Sequence, residues 1–273
     1  MPFRRVSFIN AGYCTQLGYL AGRAAWGSTP FYGVFVYLEH DAHGPALIDT
    51  GYSPYFWDAT RSFPARLYRW TTPVRLDPCG DAGEILRRRG VAPEEISQVF
   101  VSHFHGDHIA GLKHFPSARF IYRRAAYESL MREPTWRQVR HAFLAELLPQ
   151  DFAARGLPLE ESVFRLESGA LDGFRVFDYW GDGDLLLVDL PGHAIGHTGY
   201  LIRGLEGYVF YVVDACWDMP AMTAGRQLPM LSRAVQWDYP AYLSTQRRLR
   251  DLATTIGFPM LACHCLQTQT HVS

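Results

Sequence analysis

Val101-Ser102-His103-Phe104-His105-Gly106-Asp107-His108 follows the apolar run 97–101 and precedes a helix-like stretch. On an extended segment His103 and His105 point to the same side, because side-chain direction alternates, while Asp107 and His108 fall where the chain turns into the helix. Three imidazoles and a carboxylate therefore converge on a small volume. Packing does not call for such a run; a cation does. Borderline ions such as Zn²⁺ take imidazole and carboxylate donors, and two metals held close together need about seven protein ligands plus a bridging water.

Three further donors stand in similar surroundings. Pro191-Gly192-His193 follows the strand-like run 184–189, Asp214 ends the run 207–213, and His264 ends the apolar run Met260-Leu261-Ala262. Each lies at the C-terminal end of a predicted strand, where loops gather to form sites. Other strand-like runs are 3–9, 33–39, 45–49, 97–101, 117–122, 174–180 and 199–203. Helix-like runs include 81–89, with Asp81 at the N-cap and Gly90 past the end, and 239–255, with Tyr242, Leu249 and Leu252 on one side. The mixture reads as an α/β fold. No repeat, low-complexity tract or charged linker divides the chain, so a single domain over 1–273 is expected. Two segments break the rhythm: 52–70, crowded with aromatics from Tyr52 to Trp70, and 123–169, which reads as a mostly helical insertion. A lid over the site and simple filling of the core are both readings of these aromatics.

The 273 residues carry 26 Lys+Arg against 27 Asp+Glu and are 48% hydrophobic, enough for a substantial core and too balanced in charge for a nucleic-acid footprint. Disorder, a collagen repeat and a disulfide miniprotein are excluded. No apolar run approaches the ~18 residues of a spanning helix, so no membrane partner is expected. The basic start Met1-Pro2-Phe3-Arg4-Arg5 leads into a strand, not a signal-peptide core, because Asn10, Gly12 and Tyr13 interrupt it. Five cysteines with no C-x-x-C pair suit a reducing compartment, and the expected location is cytoplasmic.

In order along the chain, Leu47-Ile48-Asp49-Thr50-Gly51, the His103–His108 run, Pro191-Gly192-His193-Ala194-Ile195-Gly196-His197, Asp214 and His264 resemble the motifs of the metallo-β-lactamase-fold hydrolases. The resemblance covers nearly the whole chain. It implies an αββα sandwich, two packed mixed sheets with helices outside and a metal pair at one edge. It further implies that His103, His105 and His193 hold one metal, that Asp107, His108 and His264 hold the other, and that Asp214 bridges them. Asp49 and His197 are the implied supports of these ligands. Within the superfamily the chain is similar to the N-acyl-homoserine lactonases, through Phe8-Ile9-Asn10-Ala11-Gly12-Tyr13-Cys14, Val36-Tyr37-Leu38-Glu39, and Pro93-Glu94-Glu95-Ile96. It departs from them three residues beyond the bridging aspartate, where they carry a Tyr and this chain has Trp217.

The implied cofactors are two divalent ions, zinc first, with manganese, iron or cobalt compatible. A metal-bridging hydroxide then replaces any Ser or Cys nucleophile, the cations polarise a carbonyl, and Asp107 relays a proton to the leaving group. The expected substrate is a small molecule with an apolar or aromatic part, a lactone or thioester, with Trp217 near the reacting carbonyl. A phosphodiesterase or nuclease on the same scaffold would want a basic groove, and the densest cluster, Arg87-Arg88-Arg89, sits at a helix end where cations are favoured anyway. A mononuclear iron oxygenase would use fewer ligands than the seven here, and a binding protein that keeps its metals for stability is a further alternative. Cys263 and Cys265 flank His264 and should point away from the metals, and Cys216 has no base beside it. His40, His43, His114, His141 and His271 read as surface or hydrogen-bonded histidines.

Overall fold

In the strand Ser28–His40, Val34, Val36 and Leu38 face one way and Phe35 and Tyr37 the other, and all five are buried. A strand buried on both faces needs cover on both, and that requirement sets the layers. The computed structural model describes residues 1–24 and 26–272. Seven strands form the first sheet: β1 (Arg5–Leu17), β2 (Ser28–His40), β3 (Gly44–Ile48), β4 (Val74–Arg75), β5 (Gln98–Phe100), β6 (Arg119–Arg123) and β7 (Gly156–Leu159), in the order β4-β1-β2-β3-β5-β6-β7. Six form the second: β8 (Arg165–Leu166), β9 (Arg175–Asp178), β10 (Leu185–Asp189), β11 (Thr198–Gly204), β12 (Gly207–Val213) and β13 (Met260–Ala262), in the order β13-β12-β11-β10-β9-β8. Both are mixed: β3, β5, β6 and β7 run parallel in the first, and β12 with β13 in the second.

The helices are α1 (Tyr55–Ala59), α2 (Ala65–Thr71), α3 (Ala82–Arg88), α4 (Gly106–Ile109), α5 (Arg124–Arg132), α6 (Thr135–Arg140), α7 (Phe152–Arg155), α8 (Met219–Thr223), α9 (Met230–Ala234) and α10 (Tyr239–Ala253). Val34, Val36, Ile48 and Phe100 of the first sheet meet Leu187, Tyr200, Tyr211 and Leu261 of the second in one apolar layer. The opposite face of the first sheet, with Phe35, Val99 and Phe120, is covered by residues of α3 and of the 143–152 stretch. That of the second, with Val188, Phe210 and Val212, is covered by α8 and α10. The expected αββα sandwich is present. Among the described residues no helix is long and apolar enough to cross a membrane.

Three expectations need correction. The first strand does not stop at residue 9: the Asn10 carboxamide accepts from the Gly12 amide, the register slips between Asn10 and Tyr13, and the strand continues through this bulge to Leu17. Its partner β2 starts at Ser28, five residues earlier than the run 33–39 indicates. The stretch 123–169 is α-helical only as far as Arg155; beyond it β7 and β8, one edge strand for each sheet, flank a single 3-10 turn, Glu161–Val163. The aromatics of 52–70 divide between both readings: Tyr52 and Phe56 fill core, whereas Phe63 and Trp70 are 77% and 68% exposed.

Candidate metal centre

The candidate donors stand on the loops beyond strand ends and, for Asp107 and His108, on α4, and all seven meet at one edge of the sandwich. Beyond β3, Asp49 adopts a left-handed backbone (φ +58°), a conformation that aspartate tolerates, while its amide still pairs with the Phe100 carbonyl at 2.8 Å. Its buried carboxylate accepts from the Ser102 amide (2.8 Å), the Ser102 hydroxyl (2.7 Å) and His108 Nδ1 (2.8 Å). With that hydroxyl proton committed to Asp49, Ser102 Oγ is left to accept from His103 Nδ1 at 3.0 Å. One carboxylate thus orients two imidazoles and turns their Nε2 atoms toward the site.

The other histidines are held in the same manner. His193 Nδ1 donates to the Gln236 side-chain oxygen at 2.9 Å, Gln236 in turn donates to the Ser232 carbonyl, and His264 Nδ1 donates to the Tyr32 carbonyl at 2.7 Å. Gly192 carries φ +126°, and a Cβ there would lie 2.1 Å from the Tyr242 backbone nitrogen, so this loop can press against the start of α10 only with glycine. His197 is not among the converging donors. It donates from Nδ1 to the Leu190 carbonyl and accepts the Asp214 amide at Nε2 (3.2 Å), pinning the His193 loop to the end of β12. Burial and the neighbouring His193 push its pKa down to about 3, so it is neutral, as this pairing requires.

The donor atoms form two groups that share Asp214. Those of His103, His105, His193 and Asp214 lie within 4.8 Å of one another, and so do those of His108, Asp214, Cys263 and His264. Asp214 Oδ2 is 3.3 Å from His193 Nε2, 2.9 Å from His264 Nε2 and 3.7 Å from His108 Nε2. Asp107 Oδ2 joins the second group at 3.5 Å from both His108 Nε2 and His264 Nε2. His103 Nε2, His108 Nε2 and Asp214 Oδ1 are buried without a hydrogen-bond partner. Orphaned lone pairs in a dry pocket are costly, and a divalent cation, for which imidazole and carboxylate are suitable donors, satisfies them.

The electrostatics divide the cluster. Burial and the adjacent His108, His105 and His193 hold His103 well below the ordinary imidazole range; burial and His193 do the same to His105. Burial opposes a charge on His108 and His264 as well, but the Asp107, Asp49 and Asp214 carboxylates at His108, and Asp214 at His264, hold both well above it. Asp214 is held well below the carboxylate range, against its burial, by His264 and His108. One half of the cluster presents neutral lone pairs, and the other is ion-paired around a carboxylate.

Trp217 sits beside this cluster, its ring 5.8 Å from that of His193 and 6.2 Å from Phe31, with a buried indole N–H that has no partner. A cleft lined by Phe104, Leu130, Ile195, Val235 and Trp237 reaches His105 and His193. His141 also lines it, 4.7 Å from Trp237, and so belongs to the cleft wall. His40, His43 and His114 pair with Asp184, Asp182 and Asp81, as the sequence reading expects of histidines outside the motifs. One cysteine corrects the expectation. Cys265 turns away and accepts from the Met219 amide, but Cys263 lies against the second donor group and accepts from the Val34 amide. Strand alternation does not govern it, because β13 ends at Ala262. Gln236, Val235 and Trp237 were not found from sequence; the one available signal was a glutamine set between apolar residues in Ala234-Val235-Gln236-Trp237.

A family model described as the metallo-beta-lactamase superfamily matches residues 29–209. An N-acyl homoserine lactonase of Azorhizobium caulinodans is 30% identical over 194 residues, covering 70% of this chain and 66% of that protein. Across four curated relatives, three N-acyl homoserine lactonases including that one and a gamma-lactamase of Fusarium pseudograminearum, the match spans only 30% to 66% of their own length. The fold of a solved N-acyl homoserine lactone hydrolase, with the product N-hexanoyl-L-homoserine at its catalytic metal center, superposes with a TM-score of 0.76 at 18% identity, over 100% of this chain and 98% of that one. A dizinc quorum-quenching lactonase superposes with a TM-score of 0.66 at 14% identity, covering 96% and 87%.

Proposed function

The chain belongs to the metallo-beta-lactamase superfamily, and we propose that it is a dinuclear metal-dependent hydrolase of carbonyl ester bonds, acting on a lactone with an apolar acyl or aromatic part, and on a thioester as its second substrate type. The observation that carries this is Asp214, whose Oδ2 lies within 3.7 Å of His193, His108 and His264, so that one carboxylate serves both donor groups. His103, His105 and His193 would hold one ion, Asp107, His108 and His264 the other, with Asp214 shared and zinc the ion expected first. Two such cations would lower the pKa of a water toward ~7 and polarise the ester carbonyl.

The remaining work falls to the protein. Asp49, through Ser102 and His108, and Gln236, through His193, keep the imidazoles aimed. Asp107, at the open edge of the second group, carries a proton to the leaving group. The cleft of Phe104, Leu130, Ile195, Val235 and Trp237 takes the apolar part of the substrate, and the stretch from 124 to 155 contributes Leu130 and His141 to its wall. The buried Trp217 N–H is available to the carbonyl. The likeness to N-acyl homoserine lactonases supports the lactone preference.

A panel of N-hexanoyl-homoserine lactone, an acyl thioester, an aryl acetate and bis(p-nitrophenyl) phosphate, offered to metal-replete protein, tests this reading. Turnover of the lactone or the other acyl esters, abolished by chelator and restored by zinc, is expected. Turnover confined to the phosphodiester, or persisting in chelator, would overturn it.

A further inference from the structure

Among the described residues only two arginines are buried, and one of them, Arg23, lies on a segment whose Tyr19 and Trp26 stand out into solvent. Gly22, at φ +77°, closes the 3-10 turn Gly18–Ala21 in a left-handed conformation, and the side chain that follows it is carried into the protein. A guanidinium taken out of water must have its donors matched. Arg23 Nε donates to Asp218 Oδ2 at 2.9 Å, Nη1 to the Thr29 hydroxyl at 2.7 Å and Nη2 to the His264 carbonyl at 2.8 Å, with the Phe31 ring 5.1 Å from the guanidinium carbon. The other oxygen of Asp218 accepts from the Ala221 amide at the start of α8.

These bonds reach one half of the metal centre. His264 lies beyond the end of β13, and two bonds from elsewhere hold it: its Nδ1 donates to the Tyr32 carbonyl of β2, and its carbonyl accepts from Arg23. Thr29, a further partner of Arg23, belongs to the same β2 strand. Ring and backbone of His264 are therefore tied to one strand at separate points, which leaves Nε2 aimed at Asp214 Oδ2, 2.9 Å away. Phe31 packs beside this arrangement, its ring 5.6 Å from that of His264. The first donor group leans on other residues, His193 on Gln236 and His103 on Ser102.

We propose that Arg23 is a positioning residue for the second donor group: through the His264 carbonyl it fixes where that imidazole presents Nε2 to a metal, and it leaves the group of His103, His105 and His193 unaffected. This rests on the dinuclear reading. Lysine is no substitute, because a compact ammonium on a single stem cannot span three acceptors that a planar fork of N–H groups reaches together.

Two variants test it. Arg23→Lys keeps the charge and loses the fork. Arg23→Met combined with Asp218→Asn removes both charges at once, so that neither is stranded in the interior, and keeps a side-chain oxygen to cap α8. Zinc titrated into each metal-free variant against a chromophoric chelator should show one equivalent bound as in the parent and the other about 10- to 100-fold more weakly. Adding Gln236→Ala to Arg23→Lys should weaken the remaining equivalent as well. In the metal-free proteins, nitrogen-15 spectra of the histidine rings should show the His264 Nδ1–H resonance displaced and that of His193 unmoved. Two equivalents held as tightly as in the parent, or a loss shared by both, would overturn the proposal. So would a tight equivalent surviving Arg23→Lys with Gln236→Ala, since both residues would then serve the same ion. An unmoved His264 resonance overturns it whatever the metals do. If the parent itself binds fewer than two zinc ions, the dinuclear reading fails separately, and the histidine spectrum alone decides whether Arg23 positions His264.

Discussion

Replacing Gln236 with alanine removes the acceptor of the His193 Nδ1–H, a 2.9 Å hydrogen bond between two buried side chains. The imidazole N–H is then stranded in an apolar setting, at a cost of about 1–3 kcal/mol. The same loss can be reached from the ligand side. A metal-binding imidazole must present Nε2 in one tautomer and one orientation, and removing the partner that sets both lowers metal affinity about 10- to 100-fold, roughly 1.4–2.8 kcal/mol at 1.4 kcal/mol per decade. The two routes agree in size. Titrating zinc into metal-free Gln236→Ala against a chromophoric chelator should therefore show one weakened equivalent. The other equivalent, resting on Asp107, His108 and His264, should be little changed. Gln236→Glu keeps an oxygen acceptor of nearly the same reach and should restore the affinity. Two equivalents bound by the alanine variant as tightly as by the parent would refute the orienting role of Gln236, and with it the use of His193 through Nε2.

Thiol reagent applied to the native protein should react rapidly with Cys79 alone, since the other four cysteines are buried and burial pushes Cys14 up to about 11; five equivalents should appear on denaturation, and rapid reaction of a second native thiol would contradict the buried sites. Asp81 caps α3 and faces His114 at 2.8 Å; against its burial, His114 and the helix amides lower its pKa. Its stabilisation is then complete above the unfolded value near 3.9 and is lost as pH falls through the lowered folded value. Asp81→Ala should cost about 1–2 kcal/mol at pH 7, and its denaturant midpoint should converge on the parent's as pH falls through the lowered folded value; a constant difference down the acid range would refute the linkage. Trp217→Tyr should raise lactone turnover about 3- to 10-fold, by adding a hydroxyl donor, and change an aryl ester less; no gain on the lactone would show that this residue does not set substrate choice.

The seven converging donors were legible because each is a local signal: a polar metal-ligand type set at the end of an apolar run, with four of them in one hexapeptide. Strand ends are easy to place when the strand is buried on both faces, as for β3, β10 and β12. What escaped depends on contacts distant in sequence. Gln236 meets His193 across 43 residues and belongs to no strand or long helix. β8 has only two residues and leaves no period to read. β1 continues through a bulge whose glycine reads as a stop. Cys263 was misplaced because alternation was carried one residue past the strand that enforces it.

Metal content per chain tests the central claim most directly. Protein reconstituted with zinc, freed of excess ion and analysed by inductively coupled plasma mass spectrometry should hold two equivalents. Asp214→Ala should lose affinity at both sites together, because a shared carboxylate offsets the repulsion between neighbouring cations. One equivalent or fewer in the parent after full reconstitution, or an Asp214 variant that still holds both as tightly as the parent, would contradict the shared dinuclear centre.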